Sequence, residues 1–209
     1  MSAQPGLRER KKQRTRELIA ETARSLFVDR GFDAVTVADV AREAEVSEKT
    51  VFNYFPTKED LVYWRLESFE EELLAAIRER KPRESLIAAF GRFILQPRGL
   101  LAEEDPAAVE RLTALTRMIT ESPALLARER QVYERYTSSL AALIAEEAGS
   151  GPDDIEPGVT ANALMGVHRA LVDYTRARIA AGARAPGLAR EVRSQGRRAL
   201  KVLEAGIGV

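Results

Sequence analysis

Apolar residues recur at helical spacing through most of the chain. Leu18, Ile19, Thr22, Ala23, Leu26 and Phe27 share one face and predict a helix over Arg16–Arg30, ended by Gly31. Val37, Val40, Ala41 and Ala44 do the same for a short helix over Val37–Ala44. Thr36 stands as its N-cap and Asp39 completes a Thr-x-x-Asp capping box. Glu45-Val46 reads as a tight turn. Ser47 is placed to cap a second short helix, Glu48–Tyr54, anchored inward by Val51 and Phe55. Phe32 and Val35 are expected to fill the small core between these helices. Glu48, Lys49, Phe52 and Asn53 then lie on faces that core does not need.

Beyond Pro56 the same periodicity continues. Thr57 and Asp60 repeat the Thr-x-x-Asp cap, and a long helix is predicted over Thr57–Lys81, joining two domains, with a tilt that could carry a signal. Further helices are predicted over Ser85–Gln96, Pro106–Glu121, Ser122–Ala148, Pro157–Ala181 and Pro186–Ala205, with a loop or short helix over Arg98–Asp105. Proline or Gly-rich breaks separate them: Pro82, Pro97, Ser122-Pro123, the loop Gly149–Asp154 and the break Gly182–Gly187. No alternating strand pattern and no repeat occurs. The fold class expected is all-α with about nine helices.

The stretch from Thr36 to Lys58 resembles the helix-turn-helix of the TetR family of bacterial transcriptional regulators. The matching residues are Gly31-Phe32, Thr36, Val40 through Ala44, Val46-Ser47, Thr50 through Phe55 and Lys58 through Leu61, within a match of about residues 10–61. Two departures stand out. Glu45 replaces a glycine frequent at the turn, where positive φ is wanted, and Lys49 replaces another, adding a long cation to the face that would meet DNA. Residues 1–7, with Pro5-Gly6, are expected as a disordered arm, and the resemblance implies 8–56 as a DNA-binding domain. Residues 57–209 would form a helical effector-binding and dimerisation domain.

It implies DNA contacts at Thr36, Ser47, Glu48, Lys49, Thr50, Phe52, Asn53, Tyr54 and Lys58. Their chemistry suits the task. Asn pairs with adenine, Lys reaches guanine O6 and N7, and an aromatic edge meets a thymine methyl. Lys49, Phe52 and Asn53 are expected at base edges, and Thr36, Thr50, Tyr54 and Lys58 at phosphates. It further implies an effector pocket lined by Phe90, Phe93, Met118, Tyr133, Tyr136, Met165, Arg169 and Tyr174. Finally, it implies a homodimer built on the last two helices, through Leu164, His168, Leu171, Leu188, Val192, Gly196, Ala199 and Leu203, and such a dimer suits a palindromic operator. The alternative reading of these two helical faces is intrachain core; the dimer is the reading taken.

Charge and composition bound the rest. Lys plus Arg and Asp plus Glu each number 32, so the net charge is zero and any case for nucleic acid must be local. Residues 8–16 supply a local excess: Arg8, Arg10, Lys11, Lys12, Arg14 and Arg16 against Glu9. Beside a helix-turn-helix, these suit phosphates or a minor groove. There is no cysteine, and His168 is the single histidine, so no metal or cofactor is expected. No catalytic motif of the common hydrolase, nucleotide-binding or zinc-protease kinds occurs, so an enzyme is not expected. No apolar run approaches a membrane span and no signal peptide is visible, so a cytoplasmic protein is expected. The reading is a sequence-specific, DNA-binding transcriptional regulator, a repressor released by a small amphipathic effector. The alternatives are a ligand-independent DNA binder or activator, and a helical protein-interaction module.

Overall fold

The computed structural model describes residues 6–64, 66–97, 106–183 and 187–206. Among these residues every regular element is helical: α1 (Leu7–Arg30), α2 (Val37–Glu43), α3 (Glu48–Tyr54), a 3-10 turn (Glu59–Leu61), α4 (Leu66–Arg78), α5 (Leu86–Ile94), α6 (Pro106–Glu121), α7 (Pro123–Ala148), α8 (Glu156–Ala180) and α9 (Gly187–Glu204). The all-α expectation holds. The expected loop over Arg98–Asp105 and the first five residues lie outside the described residues.

The chain forms two compact units. One contains the residues up to Glu67 together with Arg117–Glu129, and the other contains Ser68–Thr116 and Arg130–Val209. α6 and α7 therefore each contribute residues to both units.

In the first unit, Ile19, Ala23 and Phe27 of α1, Val40 and Ala41 of α2, and Val51 with Phe55 from α3 and its end are buried, as their spacing predicts. Phe32 and Val35 join this core, and Phe27 meets Phe32 edge to face at 5.1 Å. α2 and α3 are seven residues each and too short to be stable alone, so this packing is what holds them. Ser122 caps α7, its Oγ accepting from the Leu125 N–H at 3.4 Å.

Two boundaries differ from the sequence reading. α1 begins at Leu7 rather than Arg16, so the basic segment is helix; its exposed side chains offer no apolar periodicity from which a helix could be read. The helix predicted over Thr57–Lys81 is interrupted. Thr57 and Asp60 make the expected cap, with the Asp60 N–H donating to Thr57 Oγ1 at 3.3 Å and the Thr57 N–H donating to Asp60 Oδ2 at 3.0 Å. That cap opens a single 3-10 turn. Residues 62–64 form a turn and bend, and α4 starts afresh at Leu66. Tyr63 explains the break: its ring is buried and its hydroxyl donates to the Leu125 carbonyl at 3.0 Å, a tertiary bond that overrides local helix preference.

The second unit packs α5 and α9 in an interlocked fashion. A Cβ on Gly91 of α5 would meet Leu200 Cδ1 of α9 at 2.6 Å. One turn further, a Cβ on Gly196 of α9 would meet Leu95 Cδ2 at 2.4 Å and Leu171 Cδ1 at 3.1 Å. Each leucine thus occupies a notch left by the other segment's glycine.

Candidate nucleic-acid interface

The first unit sets α2 and α3 through reciprocal caps. The Asp39 N–H donates to Thr36 Oγ1 at 3.1 Å, and the Thr36 N–H and hydroxyl donate back to Asp39 Oδ2 at 3.0 and 2.6 Å. Arg42 adds a bond to Asp39 Oδ1 at 2.5 Å. The Thr36 donors first, then Arg42, hold the Asp39 carboxyl far below the usual carboxylate range. Glu45 takes φ +54° in the turn, the conformation expected of a glycine at that place. The Val46 N–H then returns to the Ala41 carbonyl at 2.9 Å and closes the turn. Ser47 starts α3 by accepting from the Thr50 N–H at 3.1 Å, and its hydroxyl pairs with that of Thr50 at 2.8 Å.

The structure separates the nine expected DNA-facing residues by what they already do. Glu48, Lys49 and Asn53 are exposed on α3, and Phe52 beside them keeps 48% of its surface open. An exposed phenylalanine on a helix whose other apolar residues are buried is the feature core packing does not explain. Thr36 and Ser47 are the caps of α2 and α3, and Thr50 is bonded to Ser47 in the first turn of α3. Tyr54 is half-buried. Lys58 departs from expectation: its ammonium lies 4.1 Å from the centre of the Phe32 ring and 5.9 Å from that of Phe27. It is half-buried there, and burial lowers its pKa from the ordinary lysine value. The ammonium is thus engaged on rings of the core.

Beside the end of α3, the Arg16 guanidinium lies 5.4 Å from the centre of the Phe55 ring. The preceding residues Arg8 to Arg14 are exposed along the first turns of α1. Six cations thus lie along the first half of α1, the last of them, Arg16, beside the end of α3.

In the second unit, an aromatic cluster gathers some of the expected effector-pocket residues. Phe69 meets Phe93 at 5.2 Å, Tyr136 at 5.3 Å and His168 at 4.8 Å between ring centres. Tyr133 meets Tyr136 at 6.3 Å and His168 at 5.6 Å, and Arg169 lies 5.9 Å from the Tyr133 ring. Burial pushes the His168 imidazole down to about 4. Phe93, Tyr133, Tyr136 and Arg169 are therefore brought together. Phe90 and Met165 are wholly buried, Tyr174 points its hydroxyl towards Glu191 of α9 at 3.5 Å, and Met118 belongs to the other unit. Phe69, which touches three of these rings, is not among the pocket residues expected from the sequence.

The expected dimer residues divide as well. Leu164, Leu171, Leu188 and Gly196 are buried within the chain, so they are corrected to intrachain core, and His168 is corrected to the aromatic cluster. Val192, Ala199 and Leu203 remain half-exposed. The open face of α8 is instead a stripe of Val159, Asn162, Gly166, Ala170, Asp173 and Ala177, and Val202 of α9 is 54% exposed. No described helix is long and apolar enough to cross a membrane.

Comparison with known proteins places these features. The model of the bacterial regulatory proteins of the tetR family matches residues 19–63, and that of the MftR C-terminal domain matches residues 84–205. The HTH-type transcriptional regulator TcmR of Streptomyces glaucescens is 30% identical over 152 residues, covering 72% of this chain and 67% of that protein. The mycofactocin biosynthesis regulator MftR of Mycobacterium tuberculosis is 25% identical, covering 76% of this chain and 78% of that protein. Among solved structures, SmeT in complex with triclosan has a similar fold, with a TM-score of 0.56 at 16% identity, covering 93% of this chain and 94% of that one.

Proposed function

The chain belongs to the TetR family of bacterial regulatory proteins, and we propose that it is a dimeric repressor that a small amphipathic effector releases from a palindromic operator. That it regulates transcription follows from the family, whose members act on DNA rather than as enzymes. The reading of DNA by particular residues rests on one observation: α3 buries Val51 and leaves Lys49, Phe52 and Asn53 outward. In this reading Lys49, Phe52 and Asn53 meet base edges, and Thr36, Ser47, Glu48, Thr50 and Tyr54 frame them against the backbone. The exposed cations of α1 add sequence-independent affinity. Lys58, whose ammonium is engaged on the Phe32 ring, is assigned no base or phosphate contact.

Dimerisation is assigned to the exposed stripe of α8 with Val192, Ala199 and Val202 of α9. Small residues there let helices of two copies approach closely, and paired recognition helices then meet successive turns of one duplex. The effector is assigned to the second unit, near Phe93, Tyr133, Tyr136 and Arg169. Rings and one cation suit an amphipathic molecule with an acidic or polar end. The finding of SmeT with triclosan supports a small organic ligand for this fold. Release works by population shift: the effector prefers a state in which the two recognition helices no longer match the operator, by as much as its affinities for the two states differ. The protein acts in the cytoplasm, where the DNA is.

Selection of bound fragments from a pool of random duplexes tests this. A palindromic consensus, with affinity falling steeply as salt is raised, supports the reading. Selection of no preferred duplex would sink it, and an undivided, non-palindromic site would sink its dimeric part.

A further inference from the structure

Asp60 uses its two oxygens for different tasks. Oδ2 accepts from the N–H and hydroxyl of Thr57, at 3.0 and 2.9 Å, and so fixes the turn by which the chain leaves the recognition helix α3. Oδ1 accepts from Arg128 of α7, with Nε at 2.8 Å and Nη2 at 2.7 Å. Three residues on, the Tyr63 hydroxyl donates to the Leu125 carbonyl, also of α7, at 3.0 Å. The Asp60–Arg128 pair is partly withdrawn from water, with side chains 15% and 28% exposed, so it is screened less than a surface pair. No continuous helix carries the chain from α3 into α4, because residues 62–64 turn. The exit of the recognition helix is thus held by tertiary bonds to a helix more than sixty residues further along the chain.

We propose that Arg128 is a positioning residue for DNA reading: by holding Asp60 it fixes the angle at which α3 presents its side chains. Arg128 touches no base in this account and acts only through Asp60 and Thr57. α7 continues unbroken from Arg128 to Tyr133 and Tyr136 in the aromatic cluster of the second unit. The role of Arg128 rests on the DNA-reading function proposed above and adds a further residue to it.

The test uses the full chain and two duplexes: the one selected from a random pool by the wild type, and an unrelated one of equal length. Arg128→Met keeps the apolar stem and removes the charge. It is expected to weaken the selected duplex by about threefold to thirtyfold while the unrelated duplex changes by less than about twofold. In a cycle with Asp60→Asn, the double variant should discriminate no worse than Asp60→Asn alone, because both substitutions break one linkage. Tyr63→Phe removes a single hydroxyl and should lower the ratio of the two affinities in the same direction. Arg128→Lys, which keeps a cation but loses the paired donors on Asp60 Oδ1, should lower the ratio too and decides the matter if Arg128→Met does not fold. An unchanged ratio, or an equal loss on both duplexes that tracks the folded fraction, overturns the proposal, since a merely structural residue alters the amount of competent protein and not its discrimination. Additive effects in the cycle overturn the route through Asp60. If the wild type prefers no duplex at all, the DNA-reading function itself fails and takes this proposal with it.

Discussion

The ammonium of Lys58 stands 4.1 Å from the centre of the Phe32 ring, and that ring also meets Phe27. The loop after α2's neighbour helix α1 and the segment after α3 are thereby joined by a cation over a ring face. Lys58→Met should cost about 0.5–2 kcal/mol of stability, read from thermal or urea unfolding. It should leave the slope of log affinity against log salt unchanged on an unrelated duplex, where loss of a phosphate contact would reduce it by about 0.9.

Glu45 at φ +54° carries a conformation that a side chain disfavours and glycine does not. Glu45→Gly should stabilise the protein by about 0.5–1 kcal/mol, the relief of strain exceeding the added freedom of the unfolded chain. Glu45→Val should destabilise it by more than about 1 kcal/mol, since a β-branched residue tolerates that φ worst. Urea midpoints measure both.

Asn53 is exposed one turn beyond Lys49 on α3. Asn53→Ala should cost about 1–3 kcal/mol on the selected operator and almost nothing on unrelated duplexes. Lys49→Gly should change which sequences a random pool yields, because it removes a cation within reach of base edges. Equal binding of all duplexes by wild type and Asn53→Ala would rule out base reading by this residue.

His168 is held neutral by burial, its pKa lowered from 6.5 to about 4. Between those values the unfolded chain binds a proton that the folded chain does not, so stability rises with pH across the window and is lost as pH falls through it. The full effect is on the order of 3 kcal/mol. Stability curves of the wild type should slope between pH 6.5 and about 4.5, above the range of ordinary carboxylates, and His168→Gln should flatten that slope.

Gly196 faces Leu95 and Leu171 closely enough that a Cβ would lie 2.4 Å from one and 3.1 Å from the other. Helix propensity favours alanine over glycine by about 1 kcal/mol, and overpacking costs about 1–3 kcal/mol. The half-exposed end of Leu95 can turn aside, but Leu171 is buried and has no room to give, so overpacking is expected to win and Gly196→Ala should lower the melting temperature.

Much of the first unit could be read from the sequence because its signals are local. Thr36 with Asp39, Ser47 with Thr50 and the apolar face Val40–Ala41–Ala44 all act within one or two turns, and the structure keeps each of them. The positive φ at Glu45 was legible only through the resemblance, in which a glycine is frequent at that place. What sequence periodicity did not reveal depends on partners far along the chain. Tyr63 breaks a helix for the sake of Leu125, Lys58 turns to Phe32, and His168 joins Phe69 rather than an outer face. The division of α8 and α9 into inner and outer faces was equally hidden, because Leu171 and Gly196 suit a neighbouring helix whether it belongs to the same chain or to another copy.

The paired notches of α5 and α9 restrict how the second unit can respond to a ligand. Gly91 receives Leu200 while Leu95 sits against Gly196, so the two helices mesh like opposed teeth of a rack. A longitudinal slip of either would drive a leucine into a helix backbone, and the next register has no vacant glycine to accept it. Deformation is therefore channelled into rotation of α5 and α9 as one rigid couple, and a cross-link between them, placed away from the notches, should leave regulation intact.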